Sequence, residues 1–305
     1  MITVVNNVAI LIIFSLIGWV LCKTKILSSE NSKMLSVLEV WLFLPCKMFK
    51  SFSSNFTIDY ICQKYMIFVI SAVLIAVIVF SMRLIVPKFI KDKDEQRICR
   101  YSLAIANYGY MGYALAENLY GEAVLLDMML FAIPVSLYIY TAGYRMLTGQ
   151  GKISLNRVLN PVITAIILGG IFGLTQIKLP SLLMSVVNSS SACMSPVSML
   201  LAGMLISDFD LKELIADKRV YIISALRLLV IPFVICLVLS RFCSKEIVTA
   251  AMLIYSMPCG LNTIIFQNLA GNNRKIGVSL PFISTVFSLI TIPIMYKGVE
   301  LLCSL

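Results

Sequence analysis

The sequence contains no histidine, and its cysteines form no recognisable site. The absence of histidine excludes Ser-His-Asp triads, histidine proton relays and histidine metal ligands. Nine cysteines are present without a CxxC pair, and most lie in apolar stretches, where cysteine packs as a small hydrophobe. No paired carboxylates occur within those stretches. We therefore expect neither an enzyme nor a bound metal or cofactor.

Charge is also scarce. Charged residues make up 13% of the chain and hydrophobic residues 60%, with a mean hydropathy of +0.94. Soluble domains usually contain about 25% charged residues. The composition therefore predicts a protein embedded in a lipid bilayer. The net charge is +10, but lysine and arginine are confined to short loops and form no continuous basic face, which argues against a nucleic-acid partner.

Ten apolar segments follow one another along the chain. Each is close to the roughly 20 residues that a helix needs to cross a hydrocarbon core. The pattern predicts an all-α membrane protein with ten transmembrane helices, called spans one to ten below. The spans cover residues 4–21, 36–52, 65–86, 101–119, 124–146, 158–174, 182–206, 221–239, 248–269 and 277–296.

The distribution of basic residues predicts the orientation. Seventeen of the 25 lysines and arginines lie in the odd loops, beginning with the loop between spans one and two. Loops rich in lysine and arginine are usually cytoplasmic. We expect a multi-pass protein of the plasma membrane, the inner membrane of a bacterial cell, with both termini external.

The two halves of the chain share residues at a nearly constant offset. Gly18, Pro45 and Gly109 recur 151 residues later, and Asn118, Leu119 and Gly121 recur 150 residues later. Such matches indicate a duplication, with a first five-helix repeat in residues 1–150 and a second in 151–305. Because five is odd, the second repeat enters the membrane from the opposite side, and the repeat is inverted.

Two glycine-rich and polar segments, 106–121 in span four and 256–271 in span nine, interrupt apolar spans at matched positions. A broken helix is tolerated in a membrane only where it is buried in protein or lines a wet cavity. Inverted repeats with paired broken helices are typical of secondary transporters, whose substrates bind at the breaks. The candidate substrate-binding residues are Asn107, Gly109, Gly112, Pro258, Gly260 and Asn262.

Few ionisable residues lie within the spans. Glu117, whose repeat partner is Gln267, is the best carboxylate for binding a coupling cation, and Gln267 is the second candidate for ion coupling. Arg227 stands eight residues after Arg219, about 12 Å along a helix, and its side chain is expected to reach the cytoplasmic interface. Its role is either structural anchoring or attraction of an anion. For Glu39 we expect an interfacial position rather than a role in coupling.

Residues along nearly the whole chain resemble the auxin efflux carrier family of membrane transporters. In span four the family pattern is N-x-G-[FY]-x-G-x-P-L, and in span nine it is Met-Pro followed by an asparagine. Ala114 departs from the pattern, because the family usually has proline there. The matching residues are Asn107, Gly109, Tyr110, Gly112, Leu115, Met257, Pro258 and Asn262, together with Leu44-Pro45, Asn160-Pro161, Arg227 to Pro232 and Ser284 to Pro293.

The resemblance implies a ten-helix fold in which spans four and nine cross at unwound centres. Spans one, two, six and seven would form a scaffold, and spans three to five with eight to ten would form a transport domain. The transport domain would move like an elevator against the scaffold, carrying a small organic anion such as a carboxylate. Protons and sodium are the candidate coupling ions, and a homodimer is a candidate assembly.

Two other functions remain open. A sodium-coupled carrier of the bile-acid symporter kind has a similar fold and would be favoured by a cluster of acidic and glutamine residues at the crossing, where only Glu117 and Gln267 are candidates. A membrane receptor that does not transport is the other alternative. Substrate identity, flux direction and coupling ion are not determined by the sequence.

Overall fold

The computed structural model describes residues 2–28, 30–149, 161–270 and 274–302. Every regular element in these ranges is helical. The predicted start of span six, including Asn160, and the repeated Gly271 lie outside the described residues. The helices are α1 (Ile2–Lys23), α2 (Asn31–Leu38), α3 (Leu44–Asn55), α4 (Ile58–Ile85), α5 (Lys93–Ala104), α6 (Tyr113–Tyr120), α7 (Glu122–Tyr138), α8 (Tyr144–Thr148), α9 (Pro161–Thr175), α10 (Ser181–Ser207), α11 (Leu211–Ala216), α12 (Lys218–Ala225), α13 (Ile231–Leu239), α14 (Lys245–Tyr255), α15 (Asn262–Ala270) and α16 (Lys275–Leu302).

Six helical stretches are long and apolar enough to cross a membrane. They correspond to predicted spans one, three, five, seven, eight and ten, with ends within three residues of the prediction except that the third begins seven residues earlier, at Ile58, and the tenth ends six residues later, at Leu302. The helix of predicted span six is shorter within the described residues, and spans four and nine are interrupted. The six stretches are Ile2–Lys23, Ile58–Lys88, Glu122–Thr148, Ser181–Ser207, Lys218–Leu239 and Lys275–Leu302.

The start of span four differs from the prediction. Helix α5 begins at Lys93, eight residues before the predicted start at Tyr101. The carboxylate of Asp92 accepts hydrogen bonds from the backbone N–H groups of Asp94 and Glu95, at 3.0 and 2.9 Å, and caps the helix. Hydropathy does not detect this end, because the first turns of α5 are polar.

Two of the long helices contain a π turn shortly before a proline. The turn Glu39–Phe43 precedes Pro45, and the turn Leu226–Val230 precedes Pro232. Proline removes a backbone N–H, and its ring clashes with the carbonyl four residues earlier. A wider turn relieves this clash and is frequent at functional sites.

Helices from the two halves of the chain pack closely through glycines. A Cβ atom at Gly18 of α1 would overlap the carbonyl oxygen of Leu200 in α10. A Cβ atom at Gly169 of α9 would lie 2.9 Å from the carbonyl oxygen of Phe49 in α3. Both pairs of helices therefore approach backbone to backbone, which larger residues would prevent. Gly18 and Gly169 are the glycines that the repeat places 151 residues apart.

Candidate functional site at the crossing of the broken helices

The two predicted interruptions are present, and they lie against each other. Helix α5 ends at Ala104 and α14 ends at Tyr255. The backbone N–H of Asn107 donates to the carbonyl of Pro258 at 2.8 Å, and the N–H of Gly260 donates to the carbonyl of Ile105 at 3.2 Å. The two segments thus run antiparallel for a short distance and satisfy each other's freed backbone groups, as a bilayer requires. We call this contact the crossing.

Further hydrogen bonds hold the second segment in place. The backbone N–H of Cys259 donates to the hydroxyl oxygen of Ser284 in α16 at 3.0 Å. The hydroxyl of Thr263 donates to the carbonyl of Gly277, also in α16, at 2.7 Å. The interruption of span nine is therefore supported from α16 as well as by Pro258.

A cavity of about 50 Å³ lies directly at the crossing. Four of the six predicted binding residues line it: Asn107, Gly109, Gly260 and Asn262. The remaining wall is mostly aromatic and apolar, and no carboxylate of the described residues contributes to it. The other lining residues are Leu44, Met48, Ala106, Tyr108, Tyr110, Tyr113, Ser136, Ile139, Tyr140, Val162 and Leu261.

The two asparagines differ in their hydrogen bonding. Asn107 is only 4% exposed, and its side-chain amide has no hydrogen-bond partner among the described residues. The amide nitrogen of Asn262 donates to the phenol oxygen of Tyr101 at 3.1 Å. The amide of Asn107 is not one of the fully buried polar groups of the described residues that lack a partner, so it keeps contact with the space of the cavity. Asn107 therefore offers an amide that a ligand in the cavity can reach.

The glycines and the proline of the motif have separate roles. A Cβ atom at Gly109 would meet nothing within 4 Å, so this residue leaves space beside the cavity. A Cβ atom at Gly260 would lie 3.3 Å from the carbonyl oxygen of Ala106, which reflects the close approach at the crossing. Gly112 and Pro258 do not line the cavity. Gly112 packs against α7 and α14, where an added Cβ atom would lie 2.6 Å from Met128 Cε and 3.3 Å from Leu253 O.

Tyrosine side chains at this site are absent from the sequence-based set of binding residues. Tyr108, Tyr110, Tyr113 and Tyr140 line the cavity, and the hydroxyl groups of Tyr108 and Ser136 are 2.8 Å apart. Three of these tyrosines stand within the glycine-rich segment itself. Their repetition at positions 108, 110 and 113 was a signal that sequence reasoning could have used.

The candidate coupling residues Glu117 and Gln267 have different surroundings. Glu117 forms an ion pair with Lys47, whose side chain is almost fully buried. Gln267 is 2% exposed, and its side-chain carbonyl accepts the backbone N–H of Arg274 at 3.1 Å. Neither residue lines the cavity at the crossing. A role in ion coupling stays a prediction for both.

A second and larger cavity, of about 300 Å³, lies around the pair of Lys47 and Glu117. Lys50, Asn118 and Asn188 also line it. Asp127 is buried nearby along the chain in α7 and accepts hydrogen bonds from Tyr60 at 2.7 Å and Lys64 at 3.2 Å. Lysines therefore neutralise the acidic groups on this side of the protein.

The positions expected for Glu39 and Arg227 are wrong. Both side chains have an exposed fraction of 0%, so neither reaches a water interface. The carboxylate of Glu39 is 2.5 Å from the hydroxyl oxygen of Ser198 in α10. Each residue lies in one of the π turns that precede a proline, and the widened turn directs its side chain into the protein. The distance along the helix, on which the prediction for Arg227 was based, does not show towards which side of the helix its side chain points.

Three of the predicted odd loops meet at one end of the molecule. Arg219 pairs with Glu95 at 2.6 Å, and Arg274 pairs with Asp94 at 3.0 Å. Arg219 also donates hydrogen bonds to Asp217, and these bonds hold the pKa of that carboxyl below its usual value.

Comparisons with known proteins agree with this architecture. The profile of the family described as membrane transport protein matches residues 3–155 and 150–296. A protein of Methanocaldococcus jannaschii, described as an uncharacterized transporter, is 26% identical over 297 residues, which cover 93% of this chain and 95% of that protein. Apolar helices, a crossing of two broken helices and a match over almost the whole chain identify a multi-pass membrane transporter. The chain belongs to the auxin efflux carrier family of membrane transport proteins.

Proposed function

We propose that this protein is a secondary transporter of small organic anions, such as carboxylates, and that the anion binds in the cavity at the crossing. The observation that carries the proposal is the amide of Asn107, which lines a cavity that no described carboxylate lines and forms no side-chain hydrogen bond with another described residue. Helix α15 begins at Asn262, in the wall of the same cavity. The N-terminus of a helix carries a partial positive charge and free N–H groups, which attract anions.

The tyrosine-rich wall of the cavity is suited to an anion whose remaining part is planar or apolar. Aromatic rings bury large apolar areas and place a hydroxyl at one end. The carboxylate would accept hydrogen bonds from the amides of Asn107 and of Asn262, which stands at the start of α15. The body of the anion would pack on the rings of Tyr108, Tyr110 and Tyr140. The volume of about 50 Å³ is that of a closed state with room for little more than water. Binding therefore requires that the walls separate.

Alternating access follows from the way in which the cavity is built. Leu44, Met48 and Val162 come from α3 and α9, which belong to the proposed scaffold, and most other lining residues come from the proposed transport domain. The scaffold helices pack backbone to backbone, so they are suited to remain fixed. Movement of the transport domain along this scaffold would carry the anion from one side of the membrane to the other.

The proposal is tested by thermal melting of the purified protein in detergent with acetate, succinate and benzoate. Acetamide, succinamide and benzamide are matched neutral controls. A carboxylate at 100 times its Kd stabilises the native state by about 2.7 kcal/mol, and we expect a rise of several degrees for at least one acid and none for its amide. Equal stabilisation by the amides, or stabilisation by amines in place of acids, contradicts the proposal.

We also propose the ten-span inverted repeat, with both termini external. The ion pairs between the 88–100 loop and Arg219 and Arg274 support a common side for three odd loops. Lys91→Cys, introduced into a chain cleared of native cysteines, should not react with a membrane-impermeant maleimide in intact cells and should react after permeabilisation. Asn55→Cys, in the even loop between spans two and three, is the matched control and should react in intact cells. The opposite pattern overturns the orientation.

The sodium-coupled alternative has less support. Its candidate residues, Glu117 and Gln267, already interact with Lys47 and with the backbone of Arg274, respectively. Repeating the melting experiment in sodium chloride and choline chloride distinguishes the two: a carboxylate that stabilises only in the presence of sodium favours the symporter.

A further inference from the structure

Arg227 is a fully buried cation without an acidic partner. Its exposed fraction is 0%, and no described carboxylate forms an ion pair with it. Nη1 donates to the carbonyl oxygen of Leu103 at 3.3 Å, and the guanidinium carbon lies 5.6 Å from the centre of the Tyr255 ring. Nε and Nη2 have no hydrogen-bond partner in the described part of the chain. Something other than a carboxylate must therefore balance this charge.

The groups that Arg227 contacts belong to two helix ends. Leu103 is the penultimate residue of α5, and Tyr255 is the last residue of α14. Both helices stop at the crossing. The C-terminus of a helix leaves carbonyl groups without partners and carries roughly half a negative charge. The carbonyl of Leu103 thus places the guanidinium at the negative end of α5, and the ring of Tyr255 adds an aromatic face that also attracts a cation.

The crossing is consequently polarised. Helix α15 begins in the wall of the cavity, where the partial charge is positive, whereas the guanidinium of Arg227 contacts the carbonyl of Leu103 at the end of α5, where the partial charge is negative. In transporters with broken helices, C-terminal half-helix ends and freed carbonyls are the places where coupling cations bind. Here the guanidinium of Arg227 already occupies such a place, beside the carbonyl of Leu103.

We propose that the guanidinium of Arg227 is a fixed cation that replaces a coupling cation at the crossing, so that the anion site is electrostatically complete without bound sodium. This inference rests on the proposed function, and it names the group that supplies the positive charge near the anion site. Arg227 is a positioning residue: it holds the ends of α5 and α14 together, and it does not line the cavity.

The first test needs no substrate. The wild-type protein is melted in detergent in sodium chloride and in choline chloride at equal ionic strength, and we expect the same melting temperature in both. A sodium-specific rise in the wild-type protein overturns the proposal. This outcome is independent of the carboxylate experiment, so failure of the proposed function and failure of this inference are distinguishable.

The second test changes the charge. Arg227→Met keeps much of the apolar volume but removes the cation, and we expect its melting temperature to fall by about 10 °C, whereas Arg227→Lys retains more of the wild-type value. Arg219→Met is the matched control, because Arg219 lies on the same helical stretch but is half-exposed. It should melt within a few degrees of the wild type.

The third test restores the cation. Arg227→Ala, purified with and without low-millimolar methylguanidinium, should recover folded protein or melting temperature with this ion and not with methylammonium. Sodium should also stabilise Arg227→Met or Arg227→Ala more than choline does, because the helix ends are then free. If both neutral variants fail to fold while Arg227→Lys folds, the need for a cation is supported. If Arg227→Met melts like the wild type in both salts, the inference is wrong.

Discussion

Gly203→Ala is expected to destabilise the protein strongly. A Cβ atom at this position would overlap the carbonyl oxygen of Ser15 and lie 2.8 Å from the backbone nitrogen of Trp19. These are backbone atoms of α1 and cannot move aside as the end of a flexible side chain can. Since α1 and α10 approach each other through Gly203 and Gly18, the substitution must separate the two helices along much of their length.

We expect the free energy of unfolding to fall by about 3 to 5 kcal/mol and the melting temperature by roughly 10 °C or more. Thermal melting and size-exclusion chromatography in detergent measure both stability and yield. Gly298→Ala is the matched control, because Gly298 lies inside α16 and an added Cβ atom meets nothing within 4 Å. Alanine is the better helix former by roughly 0.5 to 1 kcal/mol, so this variant should be at least as stable as the wild type. Equal stability of the two variants would mean that α1 and α10 do not pack as described.

Asn107→Ala is expected to weaken binding of the transported anion without loss of folding. The amide of Asn107 has no partner among the described residues and lines the cavity. Its removal therefore breaks no described side-chain hydrogen bond, but it takes away one or two hydrogen bonds to the ligand. These are worth about 1 to 3 kcal/mol, or roughly five- to 150-fold in Kd.

Asn262→Ala should behave differently, since the amide of Asn262 also donates to Tyr101 at 3.1 Å. We expect a similar loss of affinity together with a lower melting temperature, because the buried phenol of Tyr101 loses its partner. Asn7→Ala, at a half-buried position of α1 that does not line the cavity, is the control: it loses only hydrogen bonds with Thr3 and Asn118 and should leave the affinity unchanged. Isotherms with the most stabilising carboxylate and uptake into vesicles measure these effects. If Asn107→Ala and Asn262→Ala both keep wild-type affinity and uptake, the two asparagines do not bind the substrate.

The sequence was sufficient to predict where the helices break. Glycine, proline and asparagine interrupt two apolar spans, and both interruptions occur in the segments predicted from that pattern. It was less informative about helix ends, since α5 begins eight residues earlier than hydropathy indicates. A polar helical turn outside the membrane has the composition of a loop, and only the cap at Asp92 distinguishes it.

The nature of the site could be predicted only in part. Asn107 and Asn262 were predicted because each stands beside a break, and both line the cavity at the crossing, while their binding of a substrate stays a prediction. The tyrosines were missed because an aromatic residue in an apolar span is usually read as part of the core. Pro258 was predicted to bind substrate but does not line the cavity, and the break beside it is held by hydrogen bonds from the backbone of Asn107 and Gly260 and by Ser284.

Taken alone, the sequence determined that the protein is embedded in a membrane, that it is helical, where its two broken helices are interrupted and which family it resembles. These properties depend on composition and on residues that are near each other in the chain. The tertiary structure decided which side chains meet at the crossing, that Arg227 and Glu39 are buried, and that Glu117 is neutralised by Lys47. The partners in these contacts are separated by 70 residues for Lys47 and Glu117 and by 124 for Arg227 and Leu103. Such contacts leave no local pattern, because they arise only when helices that are far apart in the chain pack together.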